Sequence, residues 1–403
     1  PWAEDTLNDL ASHYITIDDD EKADDVFREL VRRFPRGQYA ERAAWKIGWR
    51  AYKQDRFVEV ASTFEAAAVA SPRANYRPSW LYWAARSRDR LGNRPAATTL
   101  YRVVASDYLN SYYGRLASKL LAERGEAIVP PIVVIAPVGT APEVQDPATA
   151  VPNAEVIRAL ASIGLYDQAL QEAEYAGPAW GDSPALQATV AWLRHHRALQ
   201  PQAPARFADL RGAITTMRRA YPQFMAAGGE QLPRDVLSII FPLDYWPFIK
   251  QYSDAHGLDP YLMTALISQE STFTADVRSS SNAVGLMQLI PATARRYAAR
   301  LGIRYSSGIL TQPETNIRLG MRYFKDLMNR FAGAQHYALA GYNAGENRVD
   351  RWIAERPGFE QDEFIDDIPF LETQNYVKRI LGTVEDYRRL YDDGSLRTAP
   401  TSP

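Results

Sequence analysis

The chain has 403 residues, a formal net charge of -2, 46% hydrophobic and 23% charged residues, and no cysteine. Such a balance supplies no global basic field for nucleic acid, and no apolar run approaches the roughly 18 residues of a membrane-spanning helix. Without thiols, disulfides, iron–sulfur clusters, thiolate nucleophiles and cysteine-ligated zinc are excluded.

Motif absences narrow the chemistry further. The five histidines (His13, His195, His196, His256, His336) form no HExxH pattern, and no GxGxxG, GxxxxGK[ST] or GxSxG motif is present. His195 and His196 are adjacent, so on a helix they point about 100° apart and read as solvated residues. Chemistry is left to carboxylates, hydroxyls and amides. The opening Pro1-Trp2-Ala3-Glu4-Asp5 lacks the basic start and apolar core of a signal peptide.

Residues 1–125 read as helix pairs. Ala44-Trp45-Lys46-Ile47-Gly48 aligns with Leu81-Tyr82-Trp83-Ala84-Ala85 at an offset of 37 residues, which also places Phe64 over Tyr101 and Pro35 over Pro72. Self-similarity of this period predicts a helical solenoid in which each pair buries its apolar face on its neighbours. The aromatic stripe Trp45, Trp49, Tyr52, Trp80 and Trp83 reads as inter-helix packing. A strap rich in proline (Pro130, Pro131, Pro137, Pro142, Pro147, Pro152) follows over 126–152 and breaks the helical pattern. Helices resume at Asn153 and make 126–235 a strap plus helical linker domain. From 236 to 393 a third helical region carries dense polar motifs, and 394–403 reads as a disordered tail. The fold class is all-α.

One helix in the third region is unusual. Asp259 is placed to cap it and Pro260 to open it. At 100° per residue Leu262, Leu266, Glu270, Met263 and Ile267 fall within roughly 140° of each other. Glu270 therefore faces the core. Burying its charge costs several kcal/mol unless a cation pairs with it or it holds a proton. The first case makes it a structural ion-pair partner; the second makes it a carboxylic acid kept neutral near pH 7, as a general acid requires.

The motifs downstream are polar and compact. Ser279 precedes Asn282-Ala283-Val284-Gly285-Leu286-Met287-Gln288-Leu289-Ile290-Pro291, with Pro291 expected to open a helix. Asn316-Ile317 is read as leading into another. Ala340-Gly341-Tyr342-Asn343-Ala344-Gly345 reads as a helix stop with a hydroxyl and an amide in the turn. Ile368-Pro369-Phe370-Leu371-Glu372-Thr373 is read as preceding a helix from near Gln374. Amides, hydroxyls and an aromatic ring around one protonatable carboxyl suit a sugar. Each also has a plainer reading: Ser279 as a turn cap, Gln288 bonded only to backbone, Tyr342 as core, Glu372 as a helix-entry charge, Asp276 as a solvated loop residue.

Glu270-Ser271, Gly285-Leu286-Met287-Gln288, Tyr342-Asn343-Ala344-Gly345 and Ile368-Pro369-Phe370-Leu371-Glu372-Thr373 together resemble the lysozyme-like catalytic domain of soluble lytic transglycosylases, over roughly residues 240–390. Asn282 stands where that family usually has Gly, Gly341 where Ala is usual, Gln374 where Arg is common and Ile290 where Met is frequent.

The resemblance implies a superhelical body ahead of the catalytic domain. It implies Glu270 as the single catalytic glutamate, with Ser279, Gln288, Tyr342 and Glu372 holding the saccharide or the surroundings of the carboxyl. It implies non-hydrolytic cleavage between N-acetylmuramic acid and N-acetylglucosamine, with a 1,6-anhydro product and neither metal nor organic cofactor. The partners it implies are peptidoglycan glycan strands and, through the solenoid, cell-wall assembly proteins. The location it implies is periplasmic, with a signal segment removed. A lysozyme-like hydrolase keeps the same site and lets water attack, and a non-catalytic peptidoglycan-binding scaffold makes the solenoid the working part.

Overall fold

The computed structural model describes residues 2–17, 19–126, 153–180, 183–200, 206–225 and 228–392. The strap expected over 126–152, apart from Glu126, and the expected tail lie outside the described residues. Among these the regular structure is helical, with strand-like pairing only at isolated bridges joining Arg278 to Val284 and Val284 to Leu289. The all-α class is borne out. Two compact units divide the described chain. One comprises the segment up to Glu126 with Met225 and residues 228–230, the other residues 153–224 and 231–392.

The first unit is built from consecutive helix pairs whose bounds repeat. Ala40–Lys53 and Phe57–Ala70 are followed, 37 residues later in each case, by Arg77–Arg90 and Arg94–Asp107. The register extends one pair further towards the N-terminus than the alignment of aromatic motifs shows. Asp20–Arg33 stands 37 residues before Phe57–Ala70, and Phe27 takes the place of Phe64 and Tyr101. All three are almost wholly buried, so one aromatic per repeat fills the same inter-helix space. The stripe is packing, as read: Trp49 meets Trp83 edge-on at 4.8 Å, Tyr52 meets Trp83 at 4.7 Å, and Trp45 stacks on Trp49 at 5.4 Å.

In the second unit, helices Ala154–Ser162, Tyr166–Trp180, Pro184–Ala198 and Arg206–Ala220 pack in sequence. Arg197 holds Asp209 through two parallel bonds of 2.7 and 2.6 Å, the fork geometry that suits guanidinium and carboxylate. His195 and His196 are half-buried here, contrary to the solvated reading. The His196 ring stacks on Trp192 at 3.7 Å, and burial pushes the pKa of both rings down.

The helix Arg234–Ile240 then packs on Pro184–Ala198, on Arg206–Ala220 and on the long helix Leu371–Tyr391. The Arg218 guanidinium donates to the Ile240 carbonyl at 3.2 Å, and the Tyr391 hydroxyl to the Phe241 carbonyl at 2.8 Å.

Among the remaining helices, Pro260–Ser271, Pro291–Arg300 and Pro313–Arg330 each open on proline, whose missing N–H costs nothing at the first helical position. Three expected boundaries move. Asn316 lies inside the first turn of Pro313–Arg330 rather than ahead of it, and Tyr342 lies inside the last turn of Gln335–Ala344. The latter helix stops only where Gly345 turns at φ 91°. The final helix starts at Leu371, which puts Glu372 and Thr373 in its first turn.

Candidate active site

The acid-bearing helix is formed as its sequence suggests. The Asp259 side chain accepts from the Tyr261 N–H at 2.8 Å, Pro260 opens the first turn, and Leu262, Met263, Leu266 and Ile267 are buried. It ends abruptly. Thr272 and Phe273 both adopt left-handed backbone, φ 49° and 57°, a region that costs residues with a Cβ. The fully buried Phe273 ring anchors that turn, and Glu270 is held on the last turn just before it.

Glu270 is half-buried, and its carboxyl has one hydrogen-bond partner among the described residues. The Tyr376 hydroxyl donates to Oε1 at 2.6 Å. No cation figures among the groups that act on the carboxyl, which disfavours the reading of Glu270 as an ion-pair partner. Burial raises its pKa from 4.5 to about 7; the Tyr376 hydrogen bond works against that rise, and the Glu372 charge adds to it by repulsion. Near neutral pH the group is therefore poised between acid and carboxylate, which both halves of an acid–base cycle require.

A tight loop, 277–290, follows this helix and is linked to the acid through Tyr342, whose hydroxyl bonds the loop and which feels the Glu270 charge. The Val284 and Leu289 backbones pair through two bonds of 3.1 Å, and Gly285 donates to the Val277 carbonyl at 3.0 Å. Asn316, fully buried, pins the loop: its side-chain nitrogen donates to the Val284 and Leu310 carbonyls at 3.0 and 2.8 Å, and its oxygen accepts from the Met287 N–H at 2.8 Å. Gly285 cannot be replaced in this setting. Its φ is +84°, and a Cβ would stand 2.2 Å from the Leu310 carbonyl oxygen and 2.3 Å from the Asn316 side-chain nitrogen. Asn282, where the family usually has Gly, also has positive φ at 62°, which asparagine tolerates better than most residues. The departure preserves the turn.

The expected site residues take different parts. The Ser279 hydroxyl accepts from the Ala283 N–H at 3.0 Å, so it does cap a turn, although its own proton stays free to donate. The Gln288 side-chain nitrogen donates to the Gly285 and Val277 carbonyls at 2.9 and 3.2 Å, while its backbone takes φ 44°. Both donors are committed to scaffold, and the amide oxygen is the group left to meet a ligand. The Tyr342 hydroxyl donates to the Met287 carbonyl at 2.7 Å and its ring lies 5.0 Å from that of Tyr323. It braces the loop. Burial and the Glu270 charge hold its pKa well above the ordinary tyrosine value. Glu372 is exposed in the first turn of its helix, close enough for its charge to act on Glu270. Asp276 is exposed on the loop.

Tyr376 was not identified from sequence. It lies one helical turn beyond Glu372, so the two share a face, but 106 residues separate it from Glu270 and no local pattern announces the pairing. Its hydroxyl, too, has a pKa well above the usual tyrosine range, from burial and then the Glu270 charge. The helix bearing it is fixed at several points. Thr373 donates to the Asn343 side chain at 2.6 Å, the Gln374 amide donates to the Asp366 carbonyl at 2.6 Å, and half-buried Lys378 pairs with buried Asp366. Gln374, where the family commonly has Arg, thus ties its helix to Gln361–Asp366 without a charge.

Residues 247–365 match the family described as Transglycosylase SLT domain. The soluble lytic murein transglycosylase of Escherichia coli (strain K12) is 36% identical over 162 residues, which make up 40% of this chain and 25% of that protein. The aligned part of the chain thus spans about a quarter of the length of the soluble lytic murein transglycosylases it matches. A solved structure of an inactive mutant of the lytic transglycosylase Slt from Pseudomonas aeruginosa aligns with a TM-score of 0.65 at 24% identity, covering 91% of this chain and 54% of that one. The 70 kDa soluble lytic transglycosylase from Escherichia coli aligns at 0.57 and 23% identity, covering 94% and 61%. At these identities the structural likeness is one of fold, a helical body with a lysozyme-like domain. The family resemblance carried by the four motifs is borne out. Among the described residues no helix is long and apolar enough to cross a membrane.

Proposed function

We propose, from the premise that residues 247–365 are a transglycosylase SLT domain, that this chain cleaves peptidoglycan glycan strands without consuming water. Glu270 is the general acid and then the general base. Its carboxyl gives its proton to the oxygen joining N-acetylmuramic acid to N-acetylglucosamine, and the C1–O bond breaks. The 2-acetamide oxygen of the muramoyl residue supports the positive charge at C1. The Glu270 carboxylate then takes the proton of that sugar's 6-hydroxyl, whose oxygen closes on C1 as a 1,6-anhydro ring. Protons balance and the carboxyl is regenerated.

One observation carries this reading: Glu270 is half-buried on an apolar helix face and, among the described residues, is bonded only by a tyrosine hydroxyl and paired with no cation. Substrate assistance removes the need for a second catalytic carboxylate, and neither Asp276 nor Glu372 makes a direct contact with Glu270 among the described residues. Tyr376 is a positioning residue. By holding Oε1 it leaves the other oxygen to face the substrate. Ser279 through its hydroxyl proton, Gln288 through its amide oxygen and Glu372 through its exposed carboxylate bind the saccharide, and Tyr342 keeps the loop in place. Residues 236–393 constitute the catalytic unit. The helical pairs ahead of it serve as a body through which cell-wall assembly proteins are met, in the periplasm.

A pH–rate profile tests the assignment. A general acid must be protonated, so activity on sacculi is expected to fall as pH rises through about 7. The Tyr376 hydrogen bond favours the carboxylate, so Tyr376→Phe should move that alkaline limb to higher pH while lowering the maximal rate about tenfold through looser positioning. A limb that stays put, or moves down, would remove Tyr376 from the site and Glu270 from the role of acid.

A further inference from the structure

In the first compact unit a groove of about 380 Å³ lies between the helices Asp20–Arg33 and Phe57–Ala70, with Ile47 and Trp80 among its deeper lining residues. Its wall on Phe57–Ala70 is made of small side chains, Thr63, Ala66 and Ala67. One repeat later, 37 residues on, the same positions hold Leu100, Val103 and Val104, which pack with the apolar core of the unit. The bulk is missing from the wall and not from the floor, where Ile47 and Trp80 stand in place of Ala84 and Ala117. This repeat therefore lacks side chains that its neighbour supplies, over an apolar floor. Trp80 is 1% exposed, and its indole N–H has no acceptor among the described residues. A buried donor without a partner costs free energy that a ligand carbonyl beside it recovers.

The two ends of the groove differ. Arg28 closes one by bonding Asp24 on its own helix and Glu59 on the other. The other end lies beside Pro35 and Ser71, where both helices have stopped. Arg36 and Arg73, again one period apart, are exposed there, and no carboxylate stands within ion-pair distance of either among the described residues. Glu41 is the one carboxylate in the lining at that end, so the two arginines leave it net positive. From Arg28 to Pro35 the groove runs about 10 Å, the length of three or four extended residues.

We propose that this groove docks a partner protein through an extended segment whose aliphatic side chains enter between the two helices and whose carboxylates, at one end of the segment, meet Arg36 and Arg73. It rests on the reading above only in taking the helical pairs as a partner-binding body; the catalytic assignment is independent of it. An extended segment fits better than a helix, because its carbonyls are free to accept from Trp80 whereas a helix keeps them for itself. Burial of the aliphatic groups supplies the affinity, and the arginines fix which way the segment lies.

The test selects short random peptides, displayed on phage, against the intact chain; the winning sequences are synthesised and their affinities read by fluorescence anisotropy. Expected winners carry at least two aliphatic residues with Asp or Glu to one side. Ala66→Val combined with Ala67→Val, which installs the residues of the next repeat, should weaken binding roughly tenfold or more while the chain melts close to wild type. Arg36→Ala combined with Arg73→Ala should weaken it roughly three- to tenfold and flatten its salt dependence. Winners that bind the filled chain as tightly as wild type, or no winners at all, overturn the proposal. Self-association of the wild-type chain that the filling substitutions abolish overturns it in favour of a second copy. A filled chain that melts many degrees lower overturns it in favour of a segment of the chain itself. None of these results bears on the peptidoglycan reading, which is decided by digestion of sacculi.

Discussion

Glu270→Gln is expected to give a folded, saccharide-binding protein whose lytic activity falls roughly a hundredfold to ten-thousandfold, the usual worth of general acid–base catalysis. Glutamine keeps the shape and can still accept from Tyr376, but it has no proton to transfer. Stability should move the other way, and the sign depends on pH. The folded-state pKa of Glu270, about 7, lies above its ordinary value of 4.5, so between those values the folded chain binds the proton more tightly than the unfolded one. Stability contributed by the protonated group is complete below about 4.5 and is lost as pH rises through about 7. The wild-type chain above pH 7 must accommodate a half-buried charge with one hydrogen bond and no cation beside it among the described residues; the variant need not. Glu270→Gln should therefore match wild type in stability near pH 4.5 and exceed it at pH 8 by an amount of order 3 kcal/mol, seen as a higher melting temperature. A variant that melts many degrees lower at pH 8 and retains near-normal specific activity would make Glu270 a structural residue.

The largest loss of stability is expected at Asn316. Its side chain closes three hydrogen bonds with the Val284, Leu310 and Met287 backbones, entirely out of solvent. Asn316→Ala leaves the Leu310 carbonyl and the Met287 N–H without partners and the Val284 carbonyl with the Leu289 N–H alone, and a buried group stripped of its partner costs about 1–3 kcal/mol. A total of about 3–5 kcal/mol is expected, read as a lower denaturant midpoint at unchanged m-value. Activity should fall with it, because the pinned loop presents Gln288 and receives the Tyr342 hydroxyl at the Met287 carbonyl. A loss below about 1 kcal/mol would mean that water replaces the asparagine and that the loop is held by its own backbone pairing.

Glu270 and Asn316 differ in how far the sequence alone reveals their roles. Glu270 was legible because helical periodicity is local: its angular place among Leu262, Leu266, Met263 and Ile267 follows from 3.6 residues per turn, and Asp259-Pro260 fixed where the count begins. The solenoid was legible for the same reason, since a 37-residue offset repeats its bulky residues at fixed positions. Asn316 was visible only as part of a helix start. Nothing nearby reveals that its amide reaches back to Val284, 32 residues earlier. Tyr376 was missed entirely, because its role depends on how the helix Leu371–Tyr391 docks on Pro260–Ser271.

Motif matching located Ser279, Gln288, Tyr342 and Glu372 without distinguishing contact from support. Among these, Tyr342 is bonded into the scaffold and Gln288 commits both donors to it, whereas Glu372 stands open. Helix ends were displaced by a turn where capping signals compete. Tyr342-Asn343-Ala344-Gly345 reads as a stop from its first residue, yet the helix runs until Gly345 supplies the positive φ that ends it.

Purified sacculi digested with the chain, followed by mass measurement of the released muropeptides, test the central claim most directly. Ring closure by the 6-hydroxyl predicts fragments ending in 1,6-anhydromuramic acid, each one water lighter than the corresponding lysozyme product, and absent from a parallel digest with Glu270→Gln. Fragments ending only in reducing muramic acid would show that water attacks C1, and would contradict the non-hydrolytic account of this site.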